Sequence, residues 1–483
     1  MTGSRFGRSV PWSMMASFFE RFAPALATLL LAPIIGVEQT GIAAISLAAI
    51  FILAIPFKGV ADVLTGARTL TSEASLAVLI AITAAGTLAS AALMIGAPLV
   101  ADLYNQPELA RILPVHAIAI FAVATGTLHD GLFQREFRFS LQAKRKGVGG
   151  CLGILAGLVY AWFRPDAMAL AVYHVTATVS STLLCWAMFR PELGRQADWS
   201  WLRSHAASFA FQSASQSIGQ ITIRSIDLIT GLILGLYAVG LIRVAMQLYN
   251  LISAILVTPL ANVLTSHLAQ LARSSSDHGR LQAPFLSLYR VLSFMALPLY
   301  GLIGAALPMA VSLAMSPEWE TAGHLGAIVS ANGLSAVLIM TSNSILIARG
   351  QYGANLAINA FQAILSIIAT IVGAQFAIWG VAVSVVVRAY VSFLFVLLIL
   401  HRYGGIRIRT ILANTVPALF CTGIAVGVYY LIQSLWRLGG GTITELIVSL
   451  MCGAISYAAI SAIVQRAAVA TALSLFFRSA DQG

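Results

Sequence analysis

FAFQSASQSIGQITIRSIDLITGLILGLYAVGLIRVAMQLY, residues 209–249, is long and apolar enough to cross a membrane, yet it carries a polar face. Its polar residues recur every three or four positions, on one side of a helix: Gln212, Gln216, Gln220, Arg224 and Asp227. Hydrocarbon cannot satisfy amides and charges, so this face must look into protein or water. The segment predicts a helical bundle built around a water-filled interior.

The composition predicts an integral membrane protein. Hydrophobic residues make up 59% of the 483-residue chain, charged residues 9%, and the mean hydropathy is +0.89. A soluble domain carries roughly a quarter charged residues. Apolar runs of about 20 residues recur along the whole chain, which is typical of an all-α polytopic bundle and not of a barrel.

The apolar runs predict fourteen membrane spans. They cover residues 11–34, 40–65, 75–101, 109–130, 147–163, 166–189, 204–234, 238–268, 285–313, 322–347, 354–376, 379–401, 411–434 and 444–467. The first contains Glu20 and Arg21, has no clear small-residue cleavage site and leads straight into the second. We therefore expect it to remain as a span and not to be a cleaved signal peptide.

The distribution of basic residues predicts the orientation. With the N-terminus in the cytoplasm, 20 of the 28 lysines and arginines fall in or beside the inner loops, and only Arg111, Arg164 and Arg437 fall outside. Such an excess marks the cytoplasmic side. We expect a multi-pass protein of the bacterial inner membrane with both termini in the cytoplasm. The net charge of +11 is thereby explained without a nucleic-acid partner.

Several function classes lack their sequence signals. No GxxxxGK[ST] motif is present, and every predicted loop is too short for a nucleotide-binding or extracytoplasmic catalytic domain. Cys151, Cys185, Cys421 and Cys452 stand singly in apolar runs, with no metal-ligand spacing. We expect no enzyme, no catalytic residue, no metal and no cofactor.

A weak internal repeat is present at an offset of 199 residues. Gly36-Val-Glu-Gln-Thr-Gly41 aligns with Gly235-Leu-Tyr-Ala-Val-Gly240, and Arg21 aligns with Gln220 on the polar face. Six spans separate the copies, so both halves enter the membrane in the same direction, as in the parallel repeats of some transporters. We predict six-helix lobes at residues 1–200 and 201–403, followed by two additional helices and a short cytoplasmic tail at 404–483.

The chain resembles a known family in four features. These are its fourteen predicted spans, its two Gly-x4-Gly turns, the run GLILGLYAVGLIRVAMQL at 231–248 and the basic QREFRF segment at 134–139. It is similar to the Wzx-type oligosaccharide flippases, the polysaccharide transporters of the multidrug/oligosaccharidyl-lipid/polysaccharide exporter superfamily. The resemblance covers residues from about 8 to about 400 and rests more on order and spacing than on any single motif.

The resemblance implies a V-shaped two-lobe fold that alternates between inward-open and outward-open states. The implied cargo is an undecaprenyl-diphosphate-linked repeat unit, carried to the periplasmic leaflet for surface or exopolysaccharide synthesis. The expected partners are this glycan lipid, the bilayer, and polysaccharide polymerase and chain-length or export proteins.

A diphosphate crossing about 30 Å of hydrocarbon needs cations, and arginine suits it because the guanidinium stays charged and donates two parallel hydrogen bonds. Arg224 is the first candidate for binding the diphosphate, and the three glutamines on its helix face support this assignment. The alternative is an internal ion pair with Asp227. Both are compatible, because a paired arginine can still exchange its partner for phosphate. The remaining arginine candidates divide between cargo binding and internal pairing: Arg388, Arg243 and Arg21. Gln212, Gln216 and Gln220 are the candidates for sugar contact.

Three acidic residues are candidates for proton or sodium coupling, Glu20, Asp62 and Asp227. Lys58 and Asp62, one turn apart, are also expected to pair near the membrane interface. His116 and His174 are lone residues in apolar spans, and we expect them to be core histidines. Alternative functions are a cation-coupled multidrug exporter, a lipid-linked peptidoglycan precursor flippase and, least favoured, a membrane glycan polymerase or ligase.

Overall fold

The computed structural model describes residues 3–67, 69–254, 282–349, 351–436 and 442–466, and within these ranges it is helical without a strand. The helices of the first half are α1 (Gly3–Ile35), α2 (Val37–Gly66), α3 (Ser72–Leu103), α4 (Pro107–Arg135), α5 (Phe139–Phe163), α6 (Met168–Met188), α7 (Trp199–Ser204), α8 (Ala206–Leu234) and α9 (Leu236–Ile252). Those of the second half are α10 (Gln282–Ala314), α11 (Glu320–Ser330), α12 (Gly333–Ala348), α13 (Tyr352–Ala374), α14 (Ala377–Arg402), α15 (Ile408–Trp436) and α16 (Ile443–Val464).

Within the described ranges, twelve helices are long and apolar enough to span a bilayer. A helix pair, Pro317–Ser330 and Gly333–Ser342, is bent by 51° where the predicted tenth span was continuous, and the number of spans is thirteen if the pair is counted as one. The predicted eighth span, 238–268, begins as α9, and its second half lies outside the described residues. The all-α polytopic fold is confirmed, while the count of fourteen is approximate.

Two helix pairs are joined by a single glycine instead of a loop. Gly36 lies between α1 and α2 with φ 87° and ψ 169°, and Gly235 lies between α8 and α9 with φ 83° and ψ 175°. This region of backbone space is essentially open only to glycine. Each glycine therefore turns the chain from one span into the next within one residue.

The chain divides into two compact units at Val244 and Ala245, within α9. In unit 1, α2 packs against α4 and α8, α1 packs against α5, and α3 and α4 form a pair. In unit 2, α10 packs against α11 and α15, and the helices α13 and α14 and the helices α15 and α16 form pairs. The predicted lobes, with boundaries at residues 200 and 403, remain a prediction.

Helix α8 lies directly on α2 in unit 1. A Cβ on Gly59 of α2 would collide with the backbone of Gln212 and Ser213, so the two backbones touch where glycine stands. The Ser213 hydroxyl also donates to the Pro56 carbonyl oxygen at 2.8 Å. This packing determines which groups the polar face of α8 meets.

Candidate functional site

The glutamine ladder of α8, Gln212, Gln216 and Gln220, is half-buried along its length. Gln216 Nε2 donates to Asp62 Oδ2 on α2 at 2.7 Å. Gln220 Oε1 is buried and accepts no hydrogen bond from the described residues. The glutamine side chains are therefore neither fully buried nor fully exposed to solvent, and Gln220 Oε1 can still accept a hydrogen bond from another group.

Beyond the ladder, α8 carries a buried ion cluster. Asp227 Oδ2 lies 3.7 Å from Arg224 Nη1 and 3.4 Å from Arg243 Nη1. All three side chains are nearly excluded from solvent, with 9%, 5% and 12% exposed for Arg224, Asp227 and Arg243. The Arg224–Asp227 pair, which the sequence analysis gave as the alternative to cargo binding, is present, and Arg243 of α9 joins it.

The guanidinium of Arg224 also lies over an aromatic ring. Its Cζ is 4.1 Å from the centroid of Phe51 on α2, a cation–π contact. Phe51 packs edge-on against His174 of α6, with ring centroids 5.7 Å apart. We call this group of Phe51, His174, Arg224, Asp227 and Arg243 the arginine cluster.

The arginine cluster is not electrically balanced. Two guanidinium groups share one carboxylate, which leaves a net positive charge in a low-dielectric setting. Arg224 Nε and Nη1 are buried without a hydrogen-bond partner among the described residues. Unpaired buried donors of this kind are costly, and an anion with several acceptor oxygens would satisfy them.

The two histidines predicted to be separate core residues in fact meet. His116 and His174 have ring centroids 5.5 Å apart, and His116 Nε2 lies 3.3 Å from Ser46 Oγ. The Nδ1 atoms of both rings are buried without a described partner. The full burial of His116 agrees with the core prediction, whereas His174 is half-buried. The sequence analysis did not predict that the two rings meet beside Arg224.

At the other end of α8, the charged residues pair differently from the prediction. Lys58 Nζ lies 3.5 Å from Glu20 Oε1, and Lys146 also pairs with Glu20, so Lys58 does not pair with Asp62. Arg21 is exposed. Of the three coupling candidates, Glu20 and Asp227 have cationic partners, whereas Asp62 makes no ion pair within the described residues.

Arg388 lies in the middle of α14 in unit 2, half-buried, and its Nε has no acceptor among the described residues. It interacts electrostatically with Tyr249, whose ring stacks on Tyr300 at 5.4 Å. The acidic residues of unit 2 that are described lie at helix N-termini: Glu318, Glu320 and Glu445. None of these carboxylates forms an ion pair with Arg388 in the described part of the chain.

Several residues in or beside the arginine cluster could not be assigned to it from the sequence. Phe51 and His174 come from helices that are distant in sequence, and Tyr104 of the α3–α4 turn donates to the Leu228 carbonyl oxygen of α8 at 3.1 Å. Phe51 is one of many apolar residues in its span, and His174 was predicted only to be a core histidine. No group of three or more potential metal ligands occurs among the described residues.

This fold, twelve or more apolar helices with a positively charged buried cluster, is that of a polytopic helical membrane protein. The structure is similar to the lipid II flippase MurJ in an inward closed conformation, with a TM-score of 0.74 at 13% identity over 94% of this chain and 98% of that one. It is also similar to an outward-facing multidrug resistance MATE transporter of the MOP superfamily, with a TM-score of 0.54 at 13% identity, over 83% and 96%.

The chain belongs to the polysaccharide biosynthesis protein family, whose model matches residues 30–324. It is 21% identical over 270 residues to the teichuronic acid biosynthesis protein TuaB of Bacillus subtilis (strain 168), covering 55% of each chain. It is 24% identical over 225 residues to the amylovoran biosynthesis protein AmsL of Erwinia amylovora, covering 46% of this chain and 57% of that one. These matches span little more than half of either relative. The predicted resemblance to polysaccharide transporters is confirmed.

Replacing Asp227 with asparagine tests the charge balance of the arginine cluster. Asp227→Asn leaves two buried guanidinium groups without a carboxylate, so we expect the free energy of unfolding to fall by about 3 kcal/mol. Adding Arg243→Gln removes one of the two charges and should restore most of this loss. Thermal unfolding of the detergent-purified variants measures both effects, and an Asp227→Asn protein as stable as the parent would contradict the pairing.

Proposed function

We propose that the protein is a flippase for undecaprenyl-diphosphate-linked oligosaccharide repeat units. It carries the diphosphate and sugars from the cytoplasmic to the periplasmic leaflet by alternating access, while the lipid tail stays in the bilayer. The family, the two polysaccharide biosynthesis relatives and the flippase-like fold support this proposal. The inner-membrane location and cytoplasmic termini form part of it, on the distribution of basic residues.

The observation that carries the proposal is the surplus of arginine over carboxylate deep in the helices. Arg224 and Arg243 share Asp227, and Arg388 has no carboxylate among the described residues. An isolated charge at this depth is costly and marks a pathway or a ligand. An organic-cation exporter would instead need free carboxylates, so the surplus favours an anionic headgroup.

The cation sites differ in how readily they can accept a phosphate. Among the described residues, Arg388 has no carboxylate that a phosphate would have to displace, so we propose it as the principal diphosphate ligand. Arg224 and Arg243 would first exchange Asp227 for phosphate, and their unpaired donors favour this exchange. Further amide and cationic groups can contact the sugars and phosphates as the cargo crosses the membrane. They belong to Gln212, Gln216, Gln220 and the exposed Arg21.

The cargo is tested with the lipid carriers of a deletion strain. Removing the gene should trap undecaprenyl-diphosphate repeat units on the cytoplasmic leaflet, where they are detected by lipid extraction and mass spectrometry combined with leaflet-selective labelling. Normal carriers with new sensitivity to cationic dyes would instead support a multidrug exporter. Accumulation of the peptidoglycan precursor would identify that lipid as the cargo.

Replacing Arg388 separates cargo binding from stability. Arg388→Met removes a charge that has no carboxylate to pair with among the described residues, so we expect unchanged thermal stability. Polymer export should fall about tenfold or more, which is the value of one charge-assisted hydrogen bond. Arg388→Lys should retain an intermediate rate. Polymer export and the amount of inserted protein are measured together in complemented cells.

Arg290 on α10 provides the matched control for Arg388. Its Nε donates to Asn414 Oδ1 at 2.6 Å, so it is a helix arginine with a neutral partner, and Arg290→Met should retain export.

In the same assay, Arg224→Ala should reduce export more than Arg224→Lys. Equal and complete loss of protein in both Arg224 variants would assign this residue a structural role, and normal export by Arg388→Met would remove it from the pathway.

Asp62 is the coupling residue that the ion pairs favour, because Gln216 is its hydrogen-bond partner and no described cation lies within ion-pair distance of its carboxylate. Coupling needs a second bound species whose affinity differs between states. In sealed inverted vesicles, a pH or sodium gradient should accelerate cargo movement for the parent but not for Asp62→Asn. A parent rate that ignores both gradients would contradict ion coupling.

A further inference from the structure

A pocket that Arg388 does not line is found at one end of unit 2. It encloses about 380 Å³ where α10 and α15 end and α11 and α14 begin, which is the outer end on the predicted orientation. Its volume lies in the range of small-molecule sites, about 300–1,000 Å³. We call it the outer pocket, and its polar and aromatic lining consists of His324, Trp379, Tyr430 and Gln433.

Aromatic rings line the outer pocket from three different helices. Trp379 of α14 is 45% exposed and Tyr430 of α15 is 50% exposed, so both rings keep surface that protein does not cover. The ring centroid of His324 on α11 lies 6.5 Å from that of Trp379. Uncovered ring faces of this kind suit a ligand with an apolar side.

The polar atoms of the outer pocket have hydrogen-bonding capacity that the described residues do not use. The indole N–H of Trp379, the hydroxyl of Tyr430 and the ring nitrogens of His324 form no hydrogen bond with another described side chain or backbone group. Gln433 Nε2 donates to the Tyr429 hydroxyl at 2.7 Å, which holds the amide and leaves its Oε1 without a described donor. The lining therefore offers both donors and acceptors to a ligand.

Uncovered rings beside convergent donors and acceptors match the chemistry of a sugar. One face of a pyranose ring carries C–H groups that pack on an aromatic ring, while the hydroxyls at its rim need hydrogen-bond partners. No lysine, arginine, aspartate or glutamate is among the described residues that line the pocket. A phosphate or a uronate would lose its water there without gaining a cation, so the lining favours an uncharged ring.

A tryptophan or tyrosine near a helix end also occurs as a simple anchor at the membrane interface. Such an anchor needs no polar partner. Trp379 and Tyr430 instead share one pocket with an imidazole and with an amide that Tyr429 holds in place. Trp162 near the end of α5 is 85% exposed and makes no ring contact with another described residue, so it provides the matched control.

We propose that the outer pocket binds a neutral sugar ring, a hexose or an N-acetylhexosamine. The inference rests on the proposed function in one respect, that the sugar belongs to the repeat unit being moved. Trp379 and Tyr430 pack against the ring of the sugar, and His324 and Gln433 form hydrogen bonds with its hydroxyls. The outer pocket thus selects cargo by its glycan, independently of the diphosphate.

Sugar binding is measured on the full chain in lipid nanodiscs by saturation-transfer difference NMR. The neutral probes are glucose, galactose, mannose and N-acetylglucosamine, and glucuronate is the anionic probe. At least one neutral sugar should bind, and glucuronate should bind more weakly than glucose. Trp379→Ala should raise the dissociation constant of the bound sugar about tenfold, the value of the lost ring contact. Trp162→Ala should leave it unchanged.

Two milder substitutions separate sugar recognition from folding. Gln433→Leu keeps the approximate size of the side chain but removes the amide, and it should weaken sugar binding about fivefold. Tyr430→Phe keeps the ring and should bind the sugar more tightly than Tyr430→Leu. Thermal unfolding of the same samples identifies any variant whose fold is impaired.

Three results would overturn the assignment of the outer pocket. The first is a parent protein that binds none of the neutral probes, or binds them no better than Trp379→Ala does. The second is glucuronate bound as tightly as glucose, which would contradict the selection of neutral rings. The third is a phospholipid that native mass spectrometry finds on the parent but not on Trp379→Ala, since lipid would then be the occupant.

The deletion strain separates a failure of this site from a failure of the proposed cargo. Sugar binding in the outer pocket without trapped undecaprenyl-diphosphate repeat units would retain the site and contradict the cargo. Trapped repeat units together with a parent protein that binds no neutral sugar would retain the flippase and contradict the site.

Discussion

The structure depends on one constraint, that hydrocarbon cannot solvate a charge or an unpaired amide. Several charged side chains described within the helices of unit 1 have internal partners. Asp227 pairs with two arginines, Glu20 pairs with two lysines, and Asp62 accepts from Gln216. Other buried polar atoms of unit 1 have no described hydrogen-bond partner, among them Nε and Nη1 of Arg224, Oε1 of Gln220 and Oγ1 of Thr230. In unit 2 the same holds for Nε of Arg388.

The two units treat their buried arginines differently. In unit 1 Arg224 and Arg243 share the Asp227 carboxylate, and the guanidinium of Arg224 lies over the Phe51 ring. In unit 2 Arg388 interacts electrostatically with Tyr249 and forms no ion pair with a described carboxylate. Unit 1 therefore neutralises part of its buried positive charge internally, and the described part of unit 2 does not neutralise the charge of Arg388.

The 199-residue repeat is visible in the backbone geometry of the two single-glycine turns. The same glycine geometry occurs at Gly36 and Gly235, and the glycines five residues later meet the carbonyl oxygens of the opposite copy. Within unit 1 this symmetric contact holds the start of α2 against the start of α9 through their backbones.

The sequence alone determined the all-α membrane fold, most span positions, the 199-residue repeat and the Arg224–Asp227 pair. These depend on apolar run length and on helical spacing, both of which are local. It could not determine the break between α11 and α12, the pairing of Glu20 with Lys58 in place of Asp62, or the meeting of His116 with His174. Those features join helices that are far apart in the chain, so helix packing decided them. The same holds for the arginine cluster, because Phe51, Arg243 and His174 reach Arg224 only when α2, α6, α8 and α9 are folded together.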